Sequence, residues 1–368
     1  MKRTLVFTGS YSRPLTLGDG KVEPGRGKGI SVFSMDPETG ALKRLHDFPE
    51  VANPTYITVD SARKYLYCNH ELKEYGGLKS ACCSAYALSE DGAIQEINSM
   101  ISGGTDACQI TVSPDGGFVL ASNYASGSVV VYPKRADGGL GTPSCFLQHR
   151  GRSVNDFRQS GPHAHQVMFD RGGRHVLVPD LGADQVVVYD FDRENGYLIP
   201  AKAPNPKSDP GDGPRHCVFS PDGAFLYVIQ EMGCKIHVYD YDPETAETKR
   251  LQTISTVPED FTGDSACAAI RLHPSGRFIY GSNRGHDSVA IYRRGDDGLL
   301  TLVDIQPVEG ELPRDICLTE DGNWLISSNQ DSDTLTVFRV DSETGKLAFA
   351  YRQTGVDAVT NVLCVDFE

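Results

Sequence analysis

One hairpin-based unit recurs seven times along this chain, and few folds accommodate such a pattern. Each copy reads as a β-type run, a tight turn, a second run and a third. The clearest turns are Ser113-Pro114-Asp115-Gly116, Ser220-Pro221-Asp222-Gly223, His273-Pro274-Ser275-Gly276 and Thr319-Glu320-Asp321-Gly322. An apolar or aromatic run follows each turn, and a third run ends on Tyr132, Tyr189, Tyr239, Tyr292 or Phe338. Aligning the copies puts Tyr11, Glu71, Tyr124, Leu181, Glu231, Arg284 and Gln330 at one equivalent position, at intervals of 60, 53, 57, 50, 53 and 46 residues. A period of that length means stacked or radial β-units. Radial repetition also hides the sheet edges that an open array exposes. The expected fold is all-β: a seven-bladed β-propeller of four-stranded antiparallel blades, one domain over residues 1–368.

The chain begins out of phase with its repeat. Residues 5–10 read as a second strand, 30–33 as a third and 42–48 as a fourth. The missing first strand lies at the other end, at 361–365. The C-terminal strand is therefore expected to complete the N-terminal blade and close the ring. Two insertions interrupt the spacing: 16–28, rich in glycine and charge, and 148–161, which carries Arg150, Arg152, Asn155, Arg158 and Gln159. Long loops in compact β-folds often carry function.

Bulk properties exclude several classes. The net charge of -14 argues against non-specific binding to nucleic acid or to an anionic membrane. The apolar run after Met1-Lys2-Arg3 is too short for a signal peptide, and no stretch reaches membrane-span length. The ten cysteines form no C-x-x-C pair, so reduced structural thiols in a cytoplasmic protein are expected. No cofactor is implied.

In a propeller the start of each first strand and the end of each second strand meet at one face of the ring. The starts are Thr55, Cys108, His165, Arg215, Ala268, Arg314 and Asn361; the ends are the seven equivalent residues above. The chemically distinctive members are His165, Glu231, Arg215, Arg284 and Arg314, with Gln330, Asn123 and Asn283 beside them. That is one imidazole, one carboxylate and three guanidiniums around a channel mouth. Arginine suits bidentate grip on carboxylate or phosphate, and His and Glu move protons near neutral pH. The plain alternative is a structural ion pair between Glu231 and an arginine. Strict strand alternation turns His216 away from the side that Arg215 faces. His163 precedes its strand and faces the mouth from the loop; His163-x-His165 has no matching carboxylate cluster, so no metal is expected.

These segments resemble a known family. Gly161-Pro162-His163-Ala164-His165, preceded by Ser153-Val154-Asn155 and Arg158-Gln159, is similar to the seven-bladed lactonases. So are Gly213-Pro214-Arg215-His216, Gln230-Glu231, Asn283-Arg284, Pro313-Arg314 and the opening Phe7-Thr8-Gly9-Ser10-Tyr11. That family holds propeller-type 6-phosphogluconolactonases and fungal carboxymuconate-cyclising enzymes. The resemblance implies a lactone hydrolase of carbohydrate metabolism, in the pentose phosphate pathway, with His165, Glu231, Arg215 and Arg284 as catalytic residues. Arg314, Gln330, His163, Asn123, Asn283 and Arg158 are expected to bind an anionic small-molecule lactone. The cyclising enzymes' lysine has only Lys73 as a loose match. The remaining alternatives are a carboxymuconate-type cycloisomerase, a calcium-dependent lactonase and a non-catalytic binding platform.

Overall fold

The computed structural model describes residues 3–18 and 20–367. Met1 and Lys2, part of the leader reading, and Asp19 and Glu368 lie outside the described residues. The turn chemistry explains the repeat locally. In the turn before Phe118, the Ser113 hydroxyl donates to Asp115 and accepts the Phe118 N–H at 2.9 Å, while Gly116 takes φ +72°. The turn before Phe225 repeats the device with Ser220 and Asp222, and Gly223 at φ +75°. Only glycine adopts that conformation without strain.

Seven four-stranded antiparallel sheets result, each with strands in sequential order except the first. Blade 2 comprises Ile57–Val59, Tyr65–His70, Cys82–Leu88 and Ile94–Ile101, and blade 3 Ala107–Val112, Phe118–Asn123, Ser128–Pro133 and Cys145–Gln148. Blade 4 comprises Met168–Phe169, His175–Asp180, Gln185–Asp192 and Tyr197–Pro200, and blade 5 Pro214–Phe219, Phe225–Gln230, Lys235–Tyr241 and Thr248–Ser255. Blade 6 comprises Ala266–Leu272, Phe278–Arg284, Ser288–Arg294 and Leu300–Pro307, and blade 7 Pro313–Leu318, Trp324–Asn329, Thr334–Val340 and Leu347–Thr354. Blade 1 joins the two ends of the chain. The strand Val359–Phe367 pairs with Arg3–Ser10, which continues to Ile30–Met35 and Leu42–Phe48. The expected closure is therefore present, with Arg3 opposite Phe367 and Gly9 opposite Asn361.

The core is divided among the blade interfaces. Phe7, Leu5 and Ile30 of blade 1 pack against Ile57, Leu66 and Tyr86 of blade 2, and Phe33 and Val6 against Trp324 and Val337 of blade 7. Each face of a sheet thus buries apolar side chains against a neighbour, which is why a strand exposed on neither face is almost continuously hydrophobic. The third-strand aromatics pack here too. The hydroxyls of three of them reach backbone carbonyls: Tyr132 to Ile101 and Tyr239 to Lys207, both at 2.9 Å, and Tyr292 to Ser255.

A bulge near the start of the first strands positions the site. Pro214 pairs with Gln230 and His216 with Ile229, leaving Arg215 outside the ladder. The same slip frees Cys108 and Arg314, and a wider one in blade 6 leaves both Ala268 and Ala269 out of the ladder. Bulges re-aim side chains in this way. In blade 1 the slip lies between Val359 and Asn361, so Thr360, not Asn361, takes the channel position. Asn361 instead stitches blades together: its Oδ1 accepts the Ile57 N–H and its Nδ2 donates to Asp315.

Candidate active site

The channel mouth opens on a cavity of about 280 Å³. Its wall includes Glu71, Tyr124, Arg158, His165, Glu231, Arg284 and Arg314, with Arg215 in the narrower space beneath. The main chain delivers them from different blades: His165 leads into blade 4, Arg215 and Glu231 belong to blade 5, Arg284 ends a strand of blade 6 and Arg314 opens blade 7.

Glu231 is the hub. Its Oε2 accepts from Arg215 Nε at 2.9 Å and lies 3.1 Å from Arg284 Nη2, while its Oε1 accepts from Arg158 Nη2 at 2.6 Å. Burial alone would raise this carboxyl, but Arg284, Arg158 and Arg215 outweigh it and hold the pKa well below the ordinary value. Glu231 is therefore paired with three arginines rather than with one. Burial and Arg284 lower the Arg215 guanidinium to about 10, against the pull of Glu231. Its Nη1 is fixed by the Ala268 carbonyl at 2.6 Å. Arg158 and Arg284 each keep a buried Nε–H with no hydrogen-bond partner. Buried unpaired donors are costly, and these two lie behind the guanidinium nitrogens that Glu231 holds.

His165 stands beside this hub, with burial and then Arg215 pushing its pKa well below the ordinary imidazole value. Its ring is neutral near pH 7. It lies edge-on to Tyr124, with centroids 5.4 Å apart, and to His216 at 5.3 Å. His216 does not turn away as strict alternation suggests. The bulge at Arg215 resets the strand, and His216 lines the space beneath the cavity.

Four residues expected to bind substrate do not reach the cavity wall. Asn123 and Asn283 are fully buried inside their blades, where their Nδ2 groups donate to the Ser128 and Ser288 hydroxyls. Gln330 turns to Glu23 at 3.4 Å. His163 stacks on Tyr124 with centroids 4.6 Å apart and holds the Tyr124 carbonyl through Nδ1.

Two contributors were missed. Glu71 is a second carboxylate, where one was expected, and it occupies the blade 2 position equivalent to Glu231. Its neighbours are the Tyr11 hydroxyl, which donates to Oε1 at 3.1 Å, and Arg314, whose Nη2 donates to that same hydroxyl at 2.9 Å. Tyr124, at the same equivalent position in blade 3, accepts from Arg158 at 3.1 Å. Both were visible in the repeat alignment. The two insertions meet over the site as well: Leu17 and Gly18 of the first line the mouth beside Arg158 of the second.

Among the described residues, Asp209, Asp212 and His237 form a cluster with metal-like spacing, and none of them lines the cavity. All ten cysteines are free thiols. No helix among the described residues is long and apolar enough to cross a membrane.

Fold and site together define the lactonase class of seven-bladed propellers. The chain belongs to that family, described as "Lactonase, 7-bladed beta-propeller", whose model matches residues 6–367. A 6-phosphogluconolactonase of Bacillus subtilis is 32% identical over 349 residues, 94% of each chain. The solved periplasmic gluconolactonase of Pseudomonas aeruginosa superposes with a TM-score of 0.89 at 28% identity, covering 99% of both chains. A Lactobacillus plantarum protein structure gives 0.88 at 28% identity over the same shares.

Proposed function

We propose that this lactonase is a 6-phosphogluconolactonase, hydrolysing a phosphorylated sugar lactone in the cytoplasmic pentose phosphate pathway without a metal. The observation that carries this reading is the excess of guanidinium at the cavity. Arg158, Arg284 and Arg314 line it and Arg215 lies just beneath, four guanidiniums against the carboxylates of Glu71 and Glu231. Arginine matches the geometry of phosphate oxygens, and the Bacillus relative carries that name.

In this reading His165, neutral in the free site, takes a proton from the attacking water. Arg215 faces the oxyanion that forms at the carbonyl, an interaction worth about 3–4 kcal/mol in comparable sites. Glu231 keeps the guanidiniums in register; already paired with three of them, it is a poor base. Arg158, Arg284 and Arg314 receive the substrate phosphate. Lys73 is engaged by Asp106 at 2.6 Å and does not line the cavity, which speaks against the carboxymuconate reading.

The test is hydrolysis of freshly generated 6-phosphogluconolactone beside gluconolactone, with and without chelator, after subtracting spontaneous opening. Preference for the phosphorylated lactone, unchanged by chelator, is expected. Preference for gluconolactone would move the assignment to a sugar lactonase without a phosphate clamp. Loss of activity with chelator would overturn metal independence.

A further inference from the structure

Glu71 has no role in the mechanism above, yet it forms part of the cavity wall and is only 6% exposed. It stands on blade 2, and Glu231 on blade 5. Three blades is the widest separation that a seven-fold ring allows, so the two carboxylates occupy opposite walls. Their surroundings differ in kind. Glu231 carries three direct guanidinium contacts. Glu71 accepts from the phenol of Tyr11, and among the described residues Arg314 reaches it through that phenol.

We propose that Glu71 is the general acid of lactone opening, donating a proton to the ring oxygen as the bond from the carbonyl carbon to that oxygen breaks. This rests on the lactone-hydrolysis reading. The step balances without a co-reactant. The water oxygen bonds to the carbonyl carbon and its proton passes to the His165 imidazole. The tetrahedral intermediate collapses, the ring C–O bond breaks, and the Glu71 proton completes the new hydroxyl. The product acid ionises, one proton returns to Glu71 and one leaves His165 for solvent.

The charges around Glu71 fit the role. It faces Tyr11 of blade 1, Arg314 of blade 7, and Asp106 and Cys108 of blade 3, with Thr55 on its own blade. Asp106 is itself held by Lys73. Burial raises the Glu71 carboxyl; Arg314 opposes this, and Asp106 adds to it. Two carboxylates driven apart in this way are the usual signature of separate acid and charge-stabilising roles. Tyr11 is the positioning residue, since its hydroxyl fixes Oε1 from one side.

The experiment follows kcat for 6-phosphogluconolactone against pH in the wild type, Glu71→Gln, Glu71→Asp and Tyr11→Phe, with thermal unfolding as a control for folding. Wild-type kcat should fall as pH rises and Glu71 loses its proton. Glu71→Gln should lower kcat at least 100-fold and remove that alkaline limb, and Glu71→Asp should restore part of both. Tyr11→Phe removes a donor to the carboxylate, so its limb should shift to higher pH. That variant decides the matter should Glu71→Gln fail to fold. Glu71→Gln within threefold of wild type, an unchanged alkaline limb in Glu71→Gln, or an unshifted limb in Tyr11→Phe overturns the acid role while leaving the lactonase reading intact. A wild-type protein inert towards every lactone overturns both.

Discussion

Arg158 Nη2 and Glu231 Oε1 lie 2.6 Å apart across 73 residues of chain. The contact ties the 148–161 insertion to the central hub and places a fourth guanidinium over the mouth. The same nitrogen reaches the Tyr124 hydroxyl at 3.1 Å. Arg158 therefore belongs both to the loop and to the cavity wall.

Removing it should weaken the grip on substrate more than the chemistry. Arg158→Ala is expected to raise KM for a phosphorylated lactone about tenfold, corresponding to about 1.4 kcal/mol. The change in kcat should be smaller, because Arg215 and Arg284 still hold Glu231. Steady-state kinetics on the phosphorylated and plain lactones would check this. An unchanged KM on both would show that Arg158 merely anchors its loop.

Glu231 stands at the opposite extreme. Glu231→Gln leaves Arg215, Arg284 and Arg158 without a counter-charge in a buried site. Breaking a buried pair by removing one partner costs about 3–5 kcal/mol. A lower melting temperature should thus accompany a kcat loss of at least 100-fold. The pH dependence has a definite sign. The native carboxyl titrates well below its unfolded value of about 4.5. Its stabilisation is present above that value and is lost as pH falls further. Acid unfolding of Glu231→Gln should accordingly be shallower than that of the wild type. Parallel melting curves between pH 3 and 5 would count against the hub.

His165 gives a separate signature. The native ring resists protonation, whereas the unfolded ring accepts a proton below about 6.5. Stability should therefore decline as pH drops from 7 towards 5, with His216 contributing in the same direction. His165→Gln should flatten part of that decline and cut kcat by about 10²–10⁴-fold, the usual range for a lost acid–base group. Full activity in the folded variant would remove His165 from the reaction.

Cys234 offers a chemical probe from behind the cavity, since its thiol reaches the carbonyl of Ser265, which lines the wall. It is half-buried, and its pKa is lowered by the neighbouring Cys267 thiol, against burial, with help from Ser265 and Arg284. Burial instead raises Cys68, Cys83, Cys108 and Cys217. Iodoacetamide at pH 7.5 should label Cys234 first, as peptide mass spectrometry would report. Activity should fall with labelling, because Cys267 supplies the carbonyl that holds Arg284. Faster labelling of another thiol would contradict this ranking.

The repeat made the fold legible because turn chemistry and strand alternation recur at matched positions. It also singled out Arg215, Glu231, Arg284, Arg314 and His165, since polar residues at those positions break the pattern of their equivalents. What it hid was the bulge. A one-residue slip decides that Thr360 faces the channel and Asn361 does not, and that His216 points inward. Alternation alone carries no mark of such a slip. Asn123 and Asn283 looked like site residues because they adjoin the mouth in sequence. Their true partners, the serines five residues later, are a local motif internal to each blade. Glu71 was overlooked for another reason. Its weight depends on Tyr11 and Arg314, which come from two other blades and meet it only in space.

Closure of the ring supplies the last test. The strand Val359–Phe367 pairs along the whole of Arg3–Ser10 and packs against blades 7 and 2 through Val362, Cys364 and Val365. Deleting residues 359–368 would expose the edge of Arg3–Ser10 and empty one face of two interface cores. Unpaired edges seek other chains, so the shortened protein is expected to aggregate, or to lose its cooperative thermal transition. Adding a synthetic 359–368 peptide should recover part of the native signal, since β-strand addition supplies the same backbone bonds. A soluble truncation with the wild-type melting temperature would show that six complete blades and a three-stranded remnant suffice. The ends of the chain would then contribute little to the ring they join.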